Sequence, residues 1–166
     1  MRKRLIGVMG PGATATAEDL TRAFELGRLI AQHGWILLTG GRNEGIMEAA
    51  SRGAKSCQGL TVGILPGDEQ NDTSSAVDIA ILSGMGSARN NINVLSSDVI
   101  IACGMGLGTA SEVALALKAK KSVILLTDNE YSKVFFKGLG KEFLYLVDNP
   151  FEAANFCQKI LAAKHN

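Results

Sequence analysis

The stretch Val99-Ile100-Ile101-Ala102-Cys103-Gly104-Met105-Gly106-Leu107-Gly108-Thr109-Ala110-Ser111-Glu112 decides how this chain is read. An apolar run over 99–102 leads into glycines, and a helical pattern over 113–119 follows them. A strand that ends in glycines and opens into a helix is suited to hold an anion. The bare N–H groups of the first turn point outward, the macrodipole adds partial positive charge, and glycine lets a phosphate approach the backbone. Two more glycine loops stand in matching positions, Gly10-Pro11-Gly12 and Thr39-Gly40-Gly41-Arg42. Three such loops in one small domain point to a phosphorylated small-molecule ligand.

Strand and helix signals alternate on either side of this stretch. Leu5–Met9 reads as a buried strand and Ala17–Gln32 as a helix, with Leu20, Phe24, Leu26, Leu29 and Ile30 as its apolar stripe. Thr16 is placed to cap that helix with Asp19 at the third position, and Gly34 to end it. The pattern then gives a strand over 35–39, a short helix over 45–52, and strands at Thr61–Leu65 and 77–82. A helix over 88–96 with Ser87 as its cap, a strand over 99–102 and a helix over 109–119 follow. Val123–Leu126 and 144–147 read as the last strands, and Pro150 opens a terminal helix to about Ala163. Short apolar strands alternating with helices predict an α/β domain: a Rossmann-like, doubly wound, mostly parallel sheet with helices on both faces. In such folds ligands bind beyond the carboxyl ends of the strands, where all three glycine loops fall. The polar segment 67–75 is the expected mobile loop, a lid or an edge. The alanine-rich helix fits equally well against a partner helix or against the sheet.

Composition bounds the function. The 166 residues suit a single domain over 1–166, with 46% hydrophobic and 20% charged residues. A net charge of +1 gives no reason to expect nucleic acid. No apolar run is long enough to span a membrane. Met1-Arg2-Lys3-Arg4 has the character of a signal-peptide n-region, but Leu5–Met9 is too short for its apolar core, and Gly10-Pro11-Gly12 interrupts it. The expected location is the cytoplasm. Cys57, Cys103 and Cys157 are dispersed and odd in number, which argues against a disulfide framework. His33 and His165 form no cluster with metal-ligand spacing, so no protein-ligated metal is expected.

The loops differ in what they offer. Gly10-Pro11-Gly12-Ala13-Thr14-Ala15 fits G-x-G-x-x-A, yet Thr39-Gly40-Gly41 stands where a dinucleotide site needs a ribose-binding acid. A nicotinamide dinucleotide is therefore disfavoured, and a tight turn and a phosphate contact remain equal readings for Gly10 and Gly12. No Gly-Lys-Ser/Thr sequence occurs, which excludes a P-loop ATPase. Arg42 sits among bare amides, where a guanidinium suits an oxyanion. Arg89 falls in the first turn of a helix, against the macrodipole, and needs compensation from a bound anion or from an acid such as Glu112. Glu112 itself has two readings. Thr109-x-x-Glu112 matches a capping box, and the same glutamate is placed to reach across the crevice. Cys103 reads as a small buried hydrophobe.

Together these segments resemble the LOG-like superfamily over roughly residues 5–147. One branch holds the "Lonely Guy" phosphoribohydrolases and another the molybdenum cofactor carrier proteins. The hydrolase branch carries GGGxxGxM, an Arg-Lys pair and PGGxGTxxE. This chain keeps Gly40, Gly41, Gly45, Met47, Arg89, Gly106, Gly108, Thr109 and Glu112. Arg42 replaces the third glycine, Asn90 the lysine, Gly104 the proline, Met105 a glycine, and Ser111 the first of two glutamates. Gly40-Gly41-Arg42, Arg89-Asn90 and Gly-x-Gly-Thr-x-Ser-Glu-x-Ala look like the carrier branch, from which only Met105 departs. The resemblance implies a non-enzymatic protein that binds, stores or carries molybdenum cofactor, a phosphorylated pterin bearing a dithiolene-held molybdenum. It implies that the amides of Gly106, Leu107, Gly108 and Thr109 hold the anionic group, with Arg42, Arg89 and Asn90 adding charge and hydrogen bonds. Gly10, Gly12, Gly40, Gly41 and Glu112 complete the expected site. It also implies a homodimer or homotetramer and a molybdoenzyme or cofactor-synthesis partner. The rival readings are a nucleoside 5′-monophosphate phosphoribohydrolase, with Arg89 and Glu112 as its catalytic pair, and a nucleotide sensor without turnover.

Overall fold

The computed structural model describes residues 2–163; Met1 and His165, both weighed above, lie outside them. The described residues form seven strands and six α-helices, alternating except where β3 leads straight to β4: β1 (Leu5–Met9), α1 (Ala17–Gln32), β2 (Ile36–Thr39), α2 (Gly45–Ser56), β3 (Thr61–Leu65), β4 (Ile79–Leu82), α3 (Arg89–Ser96), β5 (Val99–Cys103), α4 (Leu107–Lys118), β6 (Val123–Leu126), α5 (Glu130–Gly140), β7 (Leu144–Leu146) and α6 (Pro150–Ala163). Every strand pair is parallel, in the order β4-β3-β2-β1-β5-β6-β7. The Rossmann-like expectation holds. The order reverses between β1 and β5, which pair from Ile6↔Val99 to Met9↔Ala102. A crevice opens at their carboxyl ends, the place where such sheets bind ligands.

The pleat sends alternate residues to opposite faces. Val99, Ile101 and Cys103 of β5 join a core with α1, α2 and α6. Ile100 and Ala102 join the other core, with α3, α4 and α5. The central strands are buried on both sides, which is why they read as continuous apolar runs. The alanine-rich helix packs on the sheet through Val113 and Ala116.

The ends of β1, β3, β6 and α1 fall where the pattern placed them. The Thr16 hydroxyl accepts from the Asp19 amide, and Asp19 answers to the Thr16 amide. Several expectations need correction. The second helix runs four residues past the expected 52, to Ser56. The strand expected over 77–82 starts only at Ile79, because Asp78 instead exchanges bonds with the Thr61 side chain and backbone. Ser87 does not cap α3; it lies inside a 3₁₀ turn, Gly86–Ala88, that runs straight into the helix. Helix α5 was not foreseen at all. Segment 67–75 is tied beneath the second glycine loop: the Asn43 amide donates to the Asp72 carbonyl at 2.8 Å and the Ser74 amide to the Gly41 carbonyl at 2.9 Å.

Candidate anion-binding site

The three glycine loops converge at the switch point because glycine allows their backbones to meet. A Cβ on Gly10 would lie 2.3 Å from the Cys103 carbonyl oxygen, so the ends of β1 and β5 touch only through a glycine. Gly45 adopts φ +56° and sits against the Gly12 carbonyl, fixing the second loop on the first. The Ile46 amide donates to the Pro11 carbonyl at 3.1 Å. The loops enclose a cavity of about 250 Å³ lined by Gly10, Gly12, Gly40, Arg89, Asn90, Gly106, Leu107, Gly108, Thr109 and Glu112. Pro11, Thr14 and Met47 line it as well, and sequence reasoning had not singled them out for the site.

Two expected residues stay outside. Gly41 turns at φ +77° against the backbone of Gly63. Arg42 pairs with Glu44 at 3.4 Å and does not line the cavity. Its charge still reaches Arg89, as described below.

The third loop supplies the anion pole. Gly106 is the N-cap of α4 and has no side chain to cap it, so the amides of Leu107, Gly108 and Thr109 lack intrahelical partners. The helix begins two residues before the expected 109, which removes the capping-box reading. Thr109 becomes the third helical residue, and its Oγ1 is buried without a hydrogen bond. Glu112 does not reach back to the helix end. It faces α3, where Asn93 Nδ2 donates to its Oε1 at 3.0 Å.

Arg89 is the first residue of α3 and only 9% exposed. Among the described residues no carboxylate lies within ion-pair distance of it, and its buried Nε has no partner. Burial draws its guanidinium below the ordinary range; attraction to Glu112 opposes this, and repulsion from Arg42 adds to it. Glu112 is pushed up to about 7 by burial, against the Asn93 bond and the pull of Arg89. Each group thus loses more by desolvation than it gains from the other. Buried polar groups are ordinarily paired. An anion seated between the α4 amides and Arg89 would satisfy Nε and Thr109 Oγ1 together.

Asn90 lines the cavity and is paired with Ser111, which does not line it. Asn90 Nδ2 donates to Ser111 Oγ at 2.9 Å, and the Ser111 hydroxyl donates to the Gly108 carbonyl at 2.6 Å. These two residues stand where the hydrolase motif has lysine and glutamate. Both departures from that motif therefore meet in one neutral contact.

Gly40 lies directly under Arg89. A Cβ there would come 2.6 Å from Arg89 Nη1 and 2.7 Å from Met47 Sδ, both ends of flexible side chains. Gly40→Ala is expected to keep the fold and displace the guanidinium. Inorganic phosphate, titrated by NMR, should then bind roughly tenfold more weakly, the loss of one charge-assisted hydrogen bond. Unchanged phosphate affinity would show that Arg89 does not contact the anion.

A larger cleft of about 730 Å³ runs between α1 and α2, lined by Leu20, Phe24, Glu48, Ala49, Arg52 and neighbours. It shares no lining residue with the smaller cavity and includes none of the three open α4 amides.

A family model described as the SLOG cluster4 family matches residues 3–154. The chain is 57% identical to the molybdenum cofactor binding protein from the phototrophic bacterium Rippkaea orientalis, whose solved structure superposes with a TM-score of 0.96 and coverage of 97% of this chain and 99% of that one. It is 52% identical to the molybdenum cofactor carrier protein from Chlamydomonas reinhardtii, with a TM-score of 0.91 and coverage of 97% and 99%. A cytokinin riboside 5′-monophosphate phosphoribohydrolase from Mycobacterium tuberculosis is 44% identical over 50 residues, 30% of this chain and 27% of that protein.

Proposed function

The chain belongs to the SLOG cluster4 family, and we propose that it binds and carries molybdenum cofactor in the cavity at the β1–β5 switch point. The observation that carries this reading is the set of buried groups without partners, Arg89 Nε and Thr109 Oγ1, beside the uncapped α4 N-terminus. They match the phosphate end of the pterin. The high similarity to the cofactor-binding proteins of Rippkaea orientalis and Chlamydomonas reinhardtii supplies the pterin identity.

The geometry fits part of the ligand. A cavity of about 250 Å³ falls below the roughly 300–1,000 Å³ that buries a drug-sized molecule. It would hold the anionic end, and Leu107, which is 94% exposed, stands at its edge. Gly10, Gly12, Gly40 and Asn90 form the walls, Leu107, Gly108 and Thr109 donate their amides, and Arg89 supplies the charge. Arg42 acts on Arg89 from outside the cavity. When bound, the cofactor would bring redox-active molybdenum, and this chain would grip it by its anionic end. Slow release, without bond cleavage, is the function.

The three cysteines are free, as suits a reducing cytoplasm, and among the described residues no helix is long and apolar enough to cross a membrane. Tyr131, Val134, Phe135 and Leu139 leave an apolar stripe exposed on α5, which favours a homo-oligomer. A cofactor-accepting molybdoenzyme is the expected recipient.

The hydrolase reading retains one support, the short match to the phosphoribohydrolase together with Arg89 and Glu112 in one cavity. Asn90 and Ser111 weigh against it. The test is anaerobic gel filtration after mixing with freshly released molybdenum cofactor, beside an assay for adenine release from AMP. Co-elution of pterin and molybdenum near one per chain, with no adenine, is the expected result. Adenine release without pterin retention would overturn the carrier reading.

A further inference from the structure

Asn93 is fully buried one turn after Arg89 on α3, and no glycine-loop motif includes it. Its Nδ2 donates to Glu112 Oε1 at 3.0 Å, while its Oδ1 is buried with no donor. Among the described residues this is the one hydrogen bond that the Glu112 side chain makes. An amide has matching ends. Nδ2 serves an ionised carboxylate, and Oδ1, after the amide turns over, accepts from a protonated one. The Asn93 side chain can therefore partner Glu112 in either state.

We propose that Asn93 is the positioning residue that holds the Glu112 carboxyl at the cavity in both its charged and neutral forms, so that anion binding is accompanied by uptake of one proton on Glu112. The inference rests on the reading of this cavity as an anion site. The groups that face Glu112 are few. Arg89 and Asn93 come from α3, and Thr109 lies one turn earlier on α4. Met9 and Ala102 on the sheet beneath are apolar, and no charge from α5 is among those that act on it.

The sign follows from the geometry. A carboxylate beside a bound anion repels it, whereas the protonated acid donates to it. Free Glu112 titrates at about 7 because burial disfavours its charge. An anion makes that charge still less favourable, so the bound form keeps its proton to higher pH. Anion affinity is highest below about 7, falls as pH rises from there to the midpoint of the bound form, and levels off above it, about tenfold lower for a rise of one pH unit. Asn93 serves both forms, but its bond to the ionised carboxylate is charge-assisted and the stronger of the two, so Asn93→Leu also moves the midpoint upward.

The test is a carbon-13 NMR titration of the Glu112 side-chain carboxyl in the full chain, with and without inorganic phosphate, and in Asn93→Leu. A midpoint near 7 that rises by roughly one pH unit with phosphate, and rises in Asn93→Leu without it, is expected. If the leucine does not pack, Asn93→Ala gives the same reading. A midpoint indifferent to phosphate, or equal in the Asn93 variant, would overturn the inference; a residue that merely fills space would leave it unmoved. Phosphate response without pterin retention would keep this inference and overturn the cofactor reading. Pterin retention without a phosphate response would do the reverse.

Discussion

Arg89→Ala is expected to weaken retention of molybdenum cofactor by roughly thirtyfold to a thousandfold, about 2–4 kcal/mol, while the free protein becomes no less stable. The two effects have one cause. Arg89 is buried and positive, and among the described residues it has no ion pair and no hydrogen bond at Nε. A buried charge without a partner opposes folding, so its removal relieves the free chain. The same unpaired charge is what a bound anion would complete. Removal of Arg89 also takes away the attraction that favours ionised Glu112, and the carboxyl responds by staying protonated, which costs little. Anaerobic gel filtration measures retention and thermal unfolding measures stability. Full retention, or a melting temperature lowered by several degrees, would show that Arg89 serves the fold instead of the ligand.

Gly53→Ala should be the most damaging small substitution away from the site. Helices α1 and α2 cross with their backbones in contact. A Cβ on Gly53 would lie 1.9 Å from the Phe24 carbonyl oxygen, and one on Gly27 would lie 2.0 Å from that of Ala50. Neither neighbour is a side chain that can swing away. Alanine gains about 1 kcal/mol over glycine in helix propensity. Overpacking a rigid contact costs about 3 kcal/mol in the tighter cases, so the steric effect wins. The net loss of about 2 kcal/mol lowers the melting temperature by roughly 4–8 °C for a chain of this size. The change also reaches the site, because α2 begins at Gly45 and carries Met47 into the cavity. A melting temperature within a degree of the unaltered chain would mean that the helices separate easily.

How far the sequence reaches is clearest where one pattern appears twice. Thr16-x-x-Asp19 and Thr109-x-x-Glu112 look alike as helix starts. The first caps α1, with both hydrogen bonds made. The second does not, because the chain turns helical at Leu107, as soon as Gly106 leaves the strand loop. That two-residue shift aims Glu112 at α3 and leaves the Thr109 hydroxyl for the cavity. Nothing local signals it, since it depends on where β5 delivers the chain. The buried strands were legible because both of their faces are covered. Helix α5 was hidden because most of its apolar residues face out: Tyr131, Val134, Phe135 and Leu139 are exposed, while only Phe136 joins Ser132 and Gly140 on the buried side. Its one readable signal is Asn129, whose Oδ1 accepts from the Ser132 amide at 2.8 Å. Asn93 stands four residues after Arg89 and so on the same helix face. That spacing gains meaning only once α4 is known to lie opposite.

Amide-resolved NMR of the labelled protein, titrated anaerobically with molybdenum cofactor, tests the site most directly. Shifts are expected at the Gly106, Leu107, Gly108 and Thr109 amides and at Arg89 Nε–H, with Leu20, Phe24 and Arg52 unmoved. Shifts confined to the larger cleft between α1 and α2, with the α4 amides unchanged, would contradict it.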